Sequence, residues 1–351
     1  MKASYHQYML DFKRPSGTSR GILTQKETWF LILEHQGKMG VGECGLLRGL
    51  SIDDRSDYEE KLKWVCQHIH LEEEQLWLET IEFPSIQFGI EMAFKSLESD
   101  NPFELFPSDF TNSNVSILIN GLVWMGNEAF MKQQILEKIE QGFKCIKLKI
   151  GAINFDEELA ILRSIRESFT ANQIEIRVDA NGAFNSHEAL YKLNQLSEFK
   201  LHSIEQPIAK NHTDMMAELC KNTPFPIALD EELIGVFSLQ EKQDLLGKIQ
   251  PQFIILKPSF VGGFRGTKEW IQIAEKLNIG WWITSALESN IGLNAIAQWT
   301  YLQKNKMPQG LGTGALYTNN FDCPLKVENG NLYYDKNLEW HFNFKKFSGT
   351  F

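Results

Sequence analysis

The chain has 351 residues, 43% hydrophobic and 23% charged, a composition that fits a soluble enzyme of about two domains. A net charge of −10 argues against nucleic acid as a partner, so an anionic substrate would need a local cation or metal. There is no apolar run of about 18 residues and no signal-peptide core at the amino terminus, and the five cysteines are scattered without C-x-x-C spacing; the expectation is a cytoplasmic protein with no membrane span, disulfide framework or zinc site.

Residues 9–13 and 28–35 read as strands. The polar stretch 15–21 between them is either a hairpin connection or a lid. Residues 58–70 and 85–99 have helical spacing, the second with Ser85 as its N-cap. His68 and His70 are two apart and do not face each other on a helix, so no metal is expected there. Residues 101–114, with two prolines, are the expected linker that ends an α+β unit over 1–114.

From residue 115 short apolar strands alternate with amphipathic helices. Strands are predicted over 115–120, 143–150, 174–179, 201–205, 226–230, 253–257, 279–284 and 309–314. Helices are predicted over 127–141, 156–169, 187–196, 213–221, 238–247, 264–277 and 291–304. Eight such units imply a parallel α/β barrel over 115–324. Residues 325–351 break the period and carry an Asn-Gly hairpin signal, as a segment returning to the first unit would.

The polar strand ends Lys149, Asp179, Glu205, Asp230 and Lys257 recur every 25 to 30 positions. If each points inward, Ile176, Val178, Ile204, Leu229 and Leu256 point outward to the helices. A strand buried on both faces does not normally carry charge, and charge at the carboxyl ends of barrel strands reads as catalytic. Asp179, Glu205 and Asp230 end successive strands, and carboxylates about 4 Å apart repel by roughly 4 kcal/mol at an effective dielectric of 20. A divalent ion turns that repulsion into attraction, and an all-oxygen set favours magnesium, with manganese as a substitute. Lys147 and Lys149 flank this set on one side and Lys257 on the other. A lysine with pKa near 10.4 becomes a base at neutral pH when burial and cationic neighbours bring it to about 7 or 8.

These features resemble the enolase superfamily, and within it the o-succinylbenzoate synthases. The resemblance rests on Lys147-Leu-Lys149, Arg177-Val-Asp179-Ala-Asn181-Gly182, Ile204-Glu205-Gln206-Pro207, Ala228-Leu-Asp230-Glu231, Leu256-Lys257-Pro258-Ser259 and Ser285-Ala-Leu-Glu288-Ser289, in order along the chain. It implies a modified (β/α)7β TIM-type barrel under an α+β capping domain, with residues 15–21 as a lid. It also implies Lys149 as the acid/base, Lys147 as its partner, Lys257 as the opposing cation, and Asp179, Glu205 and Asp230 as magnesium ligands. The reaction implied is dehydration of 2-succinyl-6-hydroxy-2,4-cyclohexadiene-1-carboxylate to o-succinylbenzoate, a menaquinone-pathway step, by α-proton abstraction and a metal-stabilised enediolate. Asn181, Ser285, Gly312 and Thr313 are the candidate contacts for this small-molecule carboxylate. The alternative in the same superfamily is an N-acylamino acid racemase or dipeptide epimerase. Gly312-Thr-Gly314 stands where dipeptide epimerases carry Asp-x-Asp, which weakens the epimerase reading. Outside the superfamily, Lys257 could serve a Schiff-base aldolase, and a barrel kept only as an interaction scaffold would have no use for the filled strand ends.

Overall fold

The computed structural model describes residues 1–18 and 21–347. Its first sheet is antiparallel, in the order β1 (Lys2–Thr18), β2 (Gly21–His35) and β3 (Lys38–Cys44). β1 and β2 pair from Lys2↔Glu34 to Thr18↔Gly21, with a register shift between Asp11 and Ser16. The stretch expected as a loop or lid is therefore mostly paired strand, apart from Ser19 and Arg20, which lie outside the described residues. Pro15 falls inside the register shift, where its missing N–H costs no ladder bond.

The helix Pro84–Glu98 packs on β3. A Cβ on Gly42 would stand 1.8 Å from the Gly89 carbonyl oxygen, so this close approach requires glycine. Ser85 is not the N-cap of this helix, as the sequence suggested. Phe83 holds that position, Pro84 opens the first turn, and Ser85 donates its N–H and hydroxyl to Asp53 at 2.9 and 2.6 Å. Residues 101–114, the expected linker, are partly packed into the core. Phe103, Leu105 and Phe110 are buried and a short helix, Asp109–Asn112, runs through the stretch.

β4 (Ser116–Leu118) leads into the barrel strands β5 (Gly121–Val123), β6 (Cys145–Lys149), β7 (Glu175–Asp179), β8 (Ser203–Glu205), β9 (Ile227–Leu229), β10 (Phe253–Leu256) and β11 (Gly280–Ile283). β5 to β11 form one parallel sheet in chain order, as right-handed βα units dictate. The parallel bridges Ile119↔Gln309 and Thr284↔Gly310 join its two ends. The predicted first strand is thus displaced: 116–118 pair elsewhere, and 121–123 pair with β6. The predicted eighth strand shrinks to Gln309 and Gly310, where a Cβ on Gly310 would stand 2.4 Å from Thr284 Oγ1. Ile176, Val178, Ile204, Leu229 and Leu256 are fully buried in the layer between strands and helices. Inside the barrel, Arg177 lies 4.3 Å from the Trp282 ring and donates to the Pro308 carbonyl, which makes the floor.

β12 (Leu325–Glu328) and β13 (Asn331–Tyr334) form a hairpin through Asn329 and Gly330, both at positive φ, and β13 pairs with β4. Beyond them Phe347 stacks on Phe342 and touches Tyr8 and Phe30 of the first sheet.

Glu91 of the helix Pro84–Glu98 accepts the N–H groups of Phe264 and Arg265 at 2.5 and 3.2 Å. A carboxylate from one layer thereby caps the barrel helix Gly263–Lys276, at its positive end. Glu91→Ala is expected to lose about 1–2 kcal/mol of stability, in the range of a lost cap. Urea denaturation would measure it, and an unchanged midpoint would refute the capping role.

Candidate active site

Strand register brings the predicted residues together. Lys149 pairs in register with Asp179, and Asp179 with Glu205. Glu205 stands opposite Ala228, and Ala228 opposite Phe253. Asp230 and Lys257 therefore sit successively higher along their strands, following the barrel's stagger.

Lys149 Nζ donates to Asp179 Oδ2 at 2.7 Å and to Asn181 Oδ1 at 2.8 Å. Lys147 Nζ stands 2.9 Å from Asp179 Oδ2 and is ion-paired with Glu205. Lys257 is paired with Asp230 and stands 3.9 Å from Glu205 Oε1. The Asn181 amide nitrogen donates to Glu231 at 3.0 Å, which fixes the side chain's orientation. Asp179, Glu205 and Asp230 are buried, and the lysines rather than the acids line the cavity above.

Lysines stand among the three acids that the sequence nominated as metal ligands. Among the described residues no group of three or more His, Cys, Asp or Glu side chains is drawn together to hold a metal. The ammonium groups of Lys147 and Lys257 stand between the acids, because three buried carboxylates are stable only with cations among them. Burial works against the charged form of Lys147, but Asp179, Glu205 and Asp230 outweigh it and hold its pKa above the usual lysine range. The same contest raises Lys257, chiefly through Asp230. Burial also opposes charge on Asp179 and Asp230, yet the lysines keep both below the ordinary carboxylate range. Glu205 goes the other way. Burial, with Asp179 and Asp230 beside it, pushes it up to about 8, and neither of its oxygens receives a hydrogen bond of good geometry.

The cavity measures about 520 Å³. Lys147, Lys149, Asn181, Lys257, Ser285, Gly312 and Thr313, all singled out in the sequence, line it. The Ser285 and Thr313 hydroxyls bond each other at 2.6 Å. Residues 13–16 and 21–23 of the β1–β2 hairpin and residues 47–50 contribute to its wall, as do Trp124, Phe260 and Leu287. Behind that wall lies a buried polar group, Lys26, Glu43 and Glu288, of which only Glu288 stood in a motif singled out in the sequence. Lys26 and Thr28 lie on the same face of β2, at the point where its exposed first residues give way to a buried run.

Residues 131–336 match the family model described as Enolase C-terminal domain-like. An o-succinylbenzoate synthase from Desulfotalea psychrophila is 47% identical over 95% of this chain and 98% of its own length. The crystal structure of MenC from the same organism superposes with a TM-score of 0.85 at 44% identity, covering 95% of this chain and 99% of that one. A hydrophobic dipeptide epimerase from Enterococcus faecalis is more distant, 28% identical over 50% of this chain and 48% of its own. The chain therefore belongs to the enolase superfamily and, within it, to the o-succinylbenzoate synthases.

Proposed function

We propose that this hydro-lyase dehydrates 2-succinyl-6-hydroxy-2,4-cyclohexadiene-1-carboxylate to o-succinylbenzoate, with Lys149 as the group that moves the proton. The observation that supports the reading best is the set of three lysines, Lys147 with Lys149 on one side and Lys257 on the other, bordering one cavity over three buried acids in a chain 47% identical to a synthase. The reading assigns the step to menaquinone biosynthesis in the cytoplasm.

Asp179, Glu205 and Asp230 would hold magnesium, or manganese in its place. Their chemistry fits: all donors are oxygen, and both Glu205 oxygens lie buried with only lysine ammonium groups beside them. When bound, the ion supplies positive charge beside the substrate carboxylate as the α-proton leaves. The protein's own part starts at Lys149, whose Nζ is aimed by Asp179 and Asn181. In its neutral form it takes the α-proton, then returns a proton to the departing hydroxyl, so water leaves and the ring becomes aromatic. Lys257 contributes charge from the opposite side and moves no proton. Asn181 acts here by holding Lys149, while Ser285, Thr313 and the backbone at Gly312 would receive the substrate's second carboxylate.

An epimerase has to protonate both faces of its intermediate and would need Lys257 to exchange protons as well. Asp230 holds Lys257 as an ammonium, which also disfavours the Schiff-base aldolase reading, since that nucleophile must be neutral. With magnesium in deuterated water, the expected result is rapid aromatisation of the cyclohexadiene acid, read by absorbance, and no appreciable α-deuterium uptake by dipeptides or N-succinyl amino acids. Rapid exchange on a dipeptide with no turnover of the cyclohexadiene acid would overturn the substrate assignment.

A further inference from the structure

Lys26, Glu43 and Glu288 come from β2, β3 and the loop after β11, and all three are buried. Glu43 accepts the Thr28 hydroxyl at 2.8 Å, the Ser289 N–H and hydroxyl at 2.8 and 2.5 Å, and the Gly292 N–H at 2.8 Å. It thus caps the barrel helix Asn290–Leu302 from the neighbouring sheet. Glu288 accepts the Ser259 hydroxyl at 2.5 Å and the Ala286 N–H at 2.6 Å. These bonds tie down two cavity-lining stretches, residues 284–287 and the turn after Lys257. Lys26 shares a face of β2 with Thr28, which is bonded to Glu43, and among the described residues its buried ammonium has no hydrogen-bond partner. Glu27 is committed elsewhere, to Arg48 at 2.6 Å and Trp29 at 2.7 Å. Burial pushes Lys26 down, and Glu43 and Glu288 oppose that.

We propose that Lys26 is a positioning residue for substrate binding: buried beside Glu43 and Glu288, it offsets their charge and so keeps the 284–289 loop, with Ser285, against the cavity. Lys26 lies three residues from Leu23, which lines the cavity, so the same side chain anchors the hairpin that forms part of the wall. Glu43 and Glu288 both close on Gly292, so removing the cation leaves two neighbouring buried acids without it and loosens the loop they hold. Removing one acid as well relieves the conflict. Glutamine suits position 288, because its oxygen can accept from Ala286 while its amide donates to the rotatable Ser259 hydroxyl.

The inference rests on the substrate reading above for its kinetic arm, and its exchange arm is independent of it. For Lys26→Met, KM for the cyclohexadiene acid should rise about tenfold with kcat within about threefold, the pattern of lost binding rather than lost chemistry. Amide hydrogen exchange over residues 286–292, followed by mass spectrometry, should quicken. In Lys26→Met/Glu288→Gln both should return to the values of Glu288→Gln alone, a coupling that a packing role would not produce. Parental KM and exchange in Lys26→Met would overturn the proposal. So would a double variant as impaired as Lys26→Met. If Lys26→Met does not fold, a folded double variant supports the proposal and an unfolded one overturns it. If the parent shows no dehydration at all, the substrate reading fails, and the exchange measurement still decides the role of Lys26.

Discussion

Lys149→Ala is expected to lower turnover at least ~100-fold, about 2.7 kcal/mol of transition-state stabilisation, and to abolish α-proton exchange. The argument starts from the hydrogen bonds of Nζ. Asp179 and Asn181 accept two of its protons, and the side chain lines the cavity, so its remaining position faces substrate. Lys257 is held on Asp230 and Lys147 on Asp179 and Glu205, so neither is oriented to replace it. The fold should survive, because Asp179 keeps Lys147 as its counter-ion. Lys257→Ala should also slow turnover, by weakening the field, but should retain exchange. Steady-state absorbance and deuterium uptake by NMR separate the two variants. Near-normal turnover in Lys149→Ala, or exchange lost in Lys257→Ala and kept in Lys149→Ala, would put the base on the wrong side of the ring.

What the sequence revealed and what it hid have different physical origins. Period and phase are local properties. The recurrence of Lys149, Asp179, Glu205, Asp230 and Lys257 at strand ends was therefore visible, as was the outward set of Ile176, Val178, Ile204, Leu229 and Leu256. The cap of the helix Pro84–Glu98 comes from Asp53, 32 residues away, and the cap of Gly263–Lys276 comes from Glu91, so no window along the chain could find either. Pro15 and Gly17 looked like loop formers, yet β1 absorbs them through a register shift that depends on its partner strand. Prolines at 102 and 107 marked broken secondary structure, not exposure, and Phe103, Leu105 and Phe110 are buried between them or just beyond. Spacing showed that the three acids share one end of the barrel. It could not show that the lysines stand among them, because that depends on how long flexible side chains settle around buried charge.

Asp230→Asn should weaken magnesium binding sharply while preserving the fold. The three acids stand among three lysines, and Asp230 is the acid that holds Lys257. The substitution keeps size and shape but removes one negative charge from the set, so a cation placed among the acids is held less strongly. One unit charge at about 4 Å is worth roughly 4 kcal/mol at an effective dielectric of 20, so a loss of at least ~100-fold in affinity is expected. Lys257 loses its closest acid but keeps Glu205 at 3.9 Å, which limits the cost to stability. Calorimetric titration with magnesium gives the affinity directly. A second measure follows from linkage: magnesium should raise the melting temperature of the parent protein and leave that of Asp230→Asn nearly unmoved at the same concentration. Chelation of the parent with EDTA should stop dehydration, and added magnesium should restore it. Magnesium affinity unchanged in Asp230→Asn would remove Asp230 from the ligand set, and with it the all-oxygen triad on which the metal assignment stands.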